Sequence, residues 1–305
     1  MAFVALGQGG SGAKNATPLK SSRVALLLLA PGMIYLALFF LTPFISLIIT
    51  SLKTASMTGE IGMYDFAFQV SNYAYAVESY LPQIIRSFIY ALVATVLALA
   101  ISYPIAYFIG VKARNKPLLK GLLLTLVIAP FFISFLLRTF AWRQIFSNES
   151  WIITTLKDIG LLGPDEYLIG TSFAVIFGLT YNFIPFMTLP IYTSLERLDT
   201  RLVEAGADLY ATPAKTFWKV TFPLSLPGVT SGTLLTFIPI TGDYINASRD
   251  FLGSSDTAMI GNVVEANFFR IQDYPTASAL SVMLMAAIVV LVSLYVRRSG
   301  TEDLL

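Results

Sequence analysis

The 305-residue chain contains no cysteine and no histidine. Those absences exclude disulfides, thiol nucleophiles, zinc sites of the usual kind, Ser–His dyads and haem held by histidine. A chain without the commonest general base is poorly equipped for bond-making chemistry of its own. Charge is also scarce: Asp, Glu, Lys and Arg make up 12% of the residues, against about 25% in ordinary soluble domains. The sequence has no GxxxxGK[ST] loop to cradle nucleotide phosphates. GQGGSG at 7–12 follows no strand pattern and reads as flexible tail, like the rest of residues 1–22.

What the chain has instead is apolar length. Hydrophobic residues make up 56% and the mean hydropathy is +0.72. Charge-free runs cover 24–52, 87–111, 121–137, 167–195, 220–242 and 274–296. Crossing a hydrocarbon core takes roughly 20 apolar residues, with a range near 17–25. The six runs therefore predict six transmembrane helices. The third is only just long enough and is expected to continue through Arg138 to about Phe146. The first is too long for a signal-peptide core of about 7–15 residues and reads as a span.

Six spans put both termini on one side. Thirteen of the 20 Lys and Arg residues then lie on that side, with only six of the 18 acids. An excess of Lys and Arg marks cytoplasmic loops, so both termini are expected in the cytoplasm. The formal charge of +2 conceals this transverse asymmetry, which is no footprint of a nucleic-acid binder. Pro104, Pro130, Pro185, Pro190 and Pro239 fall inside the runs, where each removes a donor and bends its helix. Bent helices around a pathway are one reading, and the higher proline content of membrane helices is the other. Ala94, Ala98 and Ser102, and likewise Gly170, Ala174 and Gly178, recur at a spacing of four and predict close helix packing.

Between the fourth and fifth runs lies EAGADLYATPAKTFWKVTFPLSLPG, residues 204–228. Asp199 or Thr200 is placed to cap a short helix with Leu202, Ala205, Gly206 and Leu209 on one side. Thr212–Pro213 opens a second, carrying Phe217, Trp218 and Val220, and Pro223 and Pro227 are expected to end it. Two such amphipathic helices suit either a groove on a partner or a seat on lipid headgroups.

This segment resembles the EAA loop of type I ABC importer permeases. Glu204, Ala205, Asp208, Leu209, Ala211, Pro223 and Pro227–Gly228 match in register. Gly206 stands where the family has a second Ala, and Tyr210 where it has the Gly that turns the chain at positive φ. APFFISFLLRTFAW (129–142), GLTYNFIPFMTLPIYTSLERLD (178–199) and MIGNVVEANFFRIQDYPTASALS (259–281) extend the similarity over most of the chain, nearest to the spermidine/putrescine branch. The resemblance implies an all-α membrane protein of MetI-like fold, multi-pass in a bacterial inner membrane. Its parts are a tail at 1–22, a six-span domain at 23–298 with the EAA loop at 199–228, and a tail at 299–305. It also implies a non-catalytic subunit that pairs with a homologous second permease, above an ABC ATPase dimer, and receives cargo from an extracytoplasmic binding protein. No cofactor or metal belongs to the chain itself; ATP and Mg are used by the ATPase. The implied coupling residues are Glu204, Ala205, Gly206, Asp208, Leu209, Tyr210, Ala211, Phe217 and Pro223.

A polyamine cargo calls for carboxylates to balance charge and aromatic faces to hold the methylene-ammonium stem. Asp243 follows the long fifth run, beside Tyr244 and Asn246, and Tyr181 and Asn182 sit mid-span. These five are the candidate pathway residues. Asp243 reads equally as an acid reaching water at a helix end. Arg138 reads as a headgroup anchor or as a partner for Asp243 or Glu149. Another amine, an amino-acid derivative or a metal ion remains open as cargo. A stand-alone secondary transporter is a separate class, and no internal inverted repeat points to it.

Overall fold

The computed structural model describes residues 23–56 and 60–299; the expected tail at 1–22 lies outside the described residues, as does that at 299–305 except Ser299, which ends the last helix. Two units divide after Leu47. The first carries α1 as far as Leu47; that helix covers Arg23–Leu36 and Thr42–Ser51 around a π-turn at Ala37–Leu41. None of its described side chains from Leu27 to Leu47 is buried, as suits a helix immersed in lipid.

In the second unit a two-stranded antiparallel ribbon, β1 (Lys53–Ala55) and β2 (Tyr64–Phe66), pairs Lys53 with Phe66 and Ala55 with Tyr64. Asn72 ties it to the next helix by donating to the carbonyls of Ser51 and Lys53 at 2.9 and 2.8 Å. That helix, α2, runs 42 residues over Ser71–Lys112. It starts well before residue 87, because Glu78 and Arg86 interrupt the charge-free run without interrupting the helix. Pro82 bends it, and Tyr80 takes the non-helical φ of −125°.

The third run is not one straight span. α3 (Pro117–Ile128), with proline at its first turn, tightens into a 3₁₀ turn at Ala129–Phe132. Ile133 and Ser134 are extended, and α4 (Phe135–Phe146) leaves with a 94° bend together with α5 (Trp151–Asp158). Pro130 withholds a donor and the chain turns there, so the expected continuation through Arg138 to Phe146 is present as the second limb of a bent pair. Among the described residues five helices are long and apolar enough to cross a membrane, six if the bent pair is one broken span.

α6 (Ser172–Glu196) is the central helix, packed along α2 and along α8 (Pro213–Thr241). Thr171 caps it by accepting from the Ala174 amide at 3.2 Å, and Gly170 at φ +84° belongs to the preceding turn. Gly170 therefore leaves the expected small-residue face, while Ala174 and Gly178 keep it buried. Gly228 and Gly232, one turn apart on α8, let the backbones meet. A methyl group on either would lie 2.6 Å from the Pro190 carbonyl or 3.0 Å from that of Met187. α7 (Thr200–Asp208) links α6 to α8; α9 (Ile260–Glu265) and a π-turn (Ala266–Ile271) precede α10 (Tyr274–Ser299).

Pro223 and Pro227 do not end a separate second short helix. Residues Pro213–Thr241 form one continuous helix with a π-turn at Phe217–Thr221. There the Phe222 amide bonds back to the Phe217 carbonyl, five residues away. That extra residue in the turn shifts the ladder just before Pro223, which has no amide to give.

Candidate functional site

The segment between α6 and α8 is built from its caps inward. The Asp199 carboxylate accepts from the Arg201 amide at 3.0 Å and starts α7. Tyr210 ends it at φ +57°, and the Ala211 amide reaches back to the Gly206 carbonyl at 3.1 Å. The left-handed residue is thus retained although its usual glycine is a tyrosine. The other departure has a steric reason. Gly206 is buried against Thr216, and an added methyl would lie 3.1 Å from the threonine methyl and hydroxyl.

The clasp turns the remaining side chains outward. Glu204, Ala205, Asp208, Leu209 and Tyr210 are exposed, Tyr210 by 98%, and Trp218 beside them by 63%. Ala211 is half-buried. Gly206 and Phe217 face inward instead, and Pro223 belongs to the spanning helix. Phe217 meets Tyr103 and Tyr107 edge-on at 5.6 and 5.9 Å, wedging α8 against α2. The surface left bare is a patch of two acids among large apolar side chains.

α7 rests on a fixed base. Arg114 donates to the carbonyls of Glu196 and, at 3.0 Å, Leu198, capping the end of α6. Lys120 pairs with Glu196 and stands 5.7 Å from the centre of the Tyr192 ring. Sequence reasoning counted Arg114 and Lys120 only toward orientation, since nothing in a basic run reveals which carbonyls it will meet.

Beside this base lies a cavity of about 930 Å³. Phe186, Pro190 and Ser194 of α6, with Arg197 at its cap, line one wall, and Leu224, Gly228, Ser231 and Leu235 of α8 the other. Asp199 and Leu202, at the start of the exposed helix, line it too. The patch and the cavity lie on the same short helix and its cap, the cavity at its start and the patch toward its end.

The five candidate pathway residues separate. Asn182, Asn246 and Asp243 come together in the interior. Asn182 donates to Asn246 at 3.2 Å and to Thr139 at 3.1 Å. The Asn246 amide and side chain donate to the two Asp243 oxygens at 2.8 and 3.1 Å. Asp243 therefore caps a turn and does not reach out to water. It lies past the last helical residue of the span, Thr241, and burial pushes its carboxyl up to about 6 against the pull of the Asn246 donors. Tyr244 lines a different hollow with Phe268 and Phe269, and Tyr181 lines an apolar crevice with Pro104 and Pro185. Arg138 is 8% exposed, so it is no headgroup anchor. Among the described residues it pairs with neither Asp243 nor Glu149.

A bent-helix membrane bundle with an exposed, rigidly mounted helix at the mouth of a cavity is a transport subunit in architecture. A family model described as "Binding-protein-dependent transport system inner membrane component" matches residues 102–299, and the chain belongs to that family of ABC importer permeases. It is similar to the spermidine/putrescine transport system permease protein PotB of Haemophilus influenzae, 32% identical over 86% of this chain and 90% of that one. Its fold is similar to a chain of a bacterial ABC transporter involved in the import of the acidic polysaccharide alginate. That match has a TM-score of 0.67 at 16% identity, over 92% of this chain and 96% of that one. It also resembles a chain of the MetNI methionine ABC transporter, with a TM-score of 0.54 at 19% identity, over 72% of this chain and 94% of that one. The fold is MetI-like, the family is a non-catalytic transport subunit, and the chain is a multi-pass protein of the inner membrane.

Proposed function

We propose that the chain forms half of the membrane pathway of an ATP-driven importer for polyamines of the spermidine/putrescine class. The cargo assignment rests on the relationship to the spermidine/putrescine permeases over most of both chains. The mechanism rests on one observation: Asp199, which starts the exposed acid-and-apolar helix α7, and Leu202 in its first turn also line the large cavity. A partner that grips α7 thereby moves a wall of the pathway. A homologous second permease closes the other half, and an ATPase dimer on the cytoplasmic side takes up α7. An extracytoplasmic binding protein delivers cargo. ATP and Mg act in the ATPase, and both termini face the cytoplasm with α7. Closure of the ATPase dimer rocks the base formed by Arg114, Lys120 and Glu196 and exposes the cavity to alternate sides.

The double variant Glu204→Ala with Asp208→Ala tests the reading. Both side chains are exposed, so the protein is expected to insert and fold as before. ATP hydrolysis stimulated by spermidine and its binding protein should fall about tenfold or more in the reconstituted complex. Undiminished stimulation would remove α7 from the coupling path.

A further inference from the structure

The cavity beside α7 has aromatic residues in its lining, Phe131 and Phe186. Its lining extends from Arg197, at the cap of α6, back to Phe186, about 16 Å at the helical rise, where Phe131 and Leu235 also line it. From there the rings continue in contact. Phe131 meets Phe186 edge-on at 4.9 Å, Phe183 lies 5.5 Å from Phe186, and Phe135 lies 6.1 Å from Phe183. The column ends on a cation: the Arg138 guanidinium carbon stands 5.7 Å from the centre of the Phe135 ring.

That guanidinium is singular in its surroundings. Arg138 is 8% exposed, and its Nε and Nη1 are buried without a hydrogen-bond partner. Among the described residues it makes no ion pair, and both Asp243 oxygens are engaged by Asn246. A positive charge held out of water without a counter-charge is costly and persists where its field is useful. Phe135 and Arg138 both ride on α4, just past the extended pair Ile133–Ser134 and its 94° bend. A pivot at that pair moves ring and cation together, away from Phe183 and Phe186 on α6.

We propose that Phe131, Phe186, Phe183 and Phe135 form the constriction of the pathway, and that Arg138 behind them makes it impermeable to small inorganic cations. This rests on the importer reading above. The rings offer no oxygen ligands to replace the water around K⁺, and the fixed charge raises an electrostatic barrier to any cation that sheds it. A linear polyammonium differs on both counts. Its methylene segments pack on the ring faces, and its ammonium groups take the place over Phe135 that the guanidinium holds when the pathway is shut. The column thus excludes a point charge and accommodates an extended one.

The experiment is passive K⁺ efflux from vesicles holding the whole complex, without ATP. Wild-type vesicles are expected to stay sealed. Arg138→Met removes the charge at similar length, and because the guanidinium has no partner to strand, the variant is expected to fold. Its efflux should rise about tenfold or more, and Arg138→Lys should restore the seal. Phe186→Ala, which touches nothing at Arg138, should leak as well. Tight vesicles with either Arg138→Met or Phe186→Ala overturn the proposal, as does an Arg138→Lys variant that leaks like Arg138→Met. Spermidine-stimulated ATP hydrolysis, measured on the same vesicles, reports separately on the importer reading: sealed vesicles with normal stimulation sink the gate alone.

Discussion

Asp243 has both carboxylate oxygens bound by Asn246 and a carboxyl raised from 3.8 to about 6 by burial. The folded protein therefore holds this proton more tightly than the unfolded chain does. The resulting stabilisation is complete below the unfolded value and is lost as pH climbs through about 6. Asp243→Asn can still accept the Asn246 amide and carries no charge. Its thermal stability in detergent should stay flat between about pH 4 and 7 while that of the wild type declines. Parallel profiles would mean that the carboxyl is not where its burial places it. In the sequence Asp243 was visible as an acid at the end of a long apolar run, but which groups it met was not. Its partner is three residues away, across a turn whose shape depends on close packing elsewhere: a methyl on Gly261 would lie 2.4 Å from the Gly242 carbonyl. Tyr210 is the reverse case. Its side chain argues against a left-handed turn, and the Ala211–Gly206 bond and the Thr216 clasp hold the turn regardless.

At the scale of elements, apolar length and charge-free runs located the spans, since lipid sets their minimum length whatever their packing. Their ends were less legible. α2 continues through Glu78 and Arg86, and α8 absorbs Pro223 through a π-turn, because satisfied backbone bonds outweigh local composition. The break after Phe132 was signalled by Pro130, but its 94° angle was not, being set by what α4 packs against. The base of α7 is a tertiary feature of the same kind. Arg114 caps two carbonyls at the end of α6, and charge-assisted bonds of this sort contribute about 1.5–3 kcal/mol each when partly buried. Arg114→Ala should lower the melting temperature and also weaken spermidine-stimulated hydrolysis. Both bonds come from the single nitrogen Nη2, and an ammonium has three donors, so Arg114→Lys should recover part of each. An alanine variant with unchanged melting would show that the cap carries no load.

At the scale of the molecule, the central claim is mechanical: a bundle without fuel-burning chemistry is driven from the cytoplasm through α7. The absence of cysteine makes it directly testable, since a single introduced thiol is the only one on the chain. Leu209 is 81% exposed at the end of α7, so Leu209→Cys should leave the fold intact. The decisive measurement is thiol reactivity of that variant in sealed right-side-out vesicles carrying the whole complex. The prediction is protection from a membrane-impermeant maleimide added outside, together with cross-linking to the ATPase subunit from within. Labelling from outside, with no cross-link to the ATPase, would contradict it.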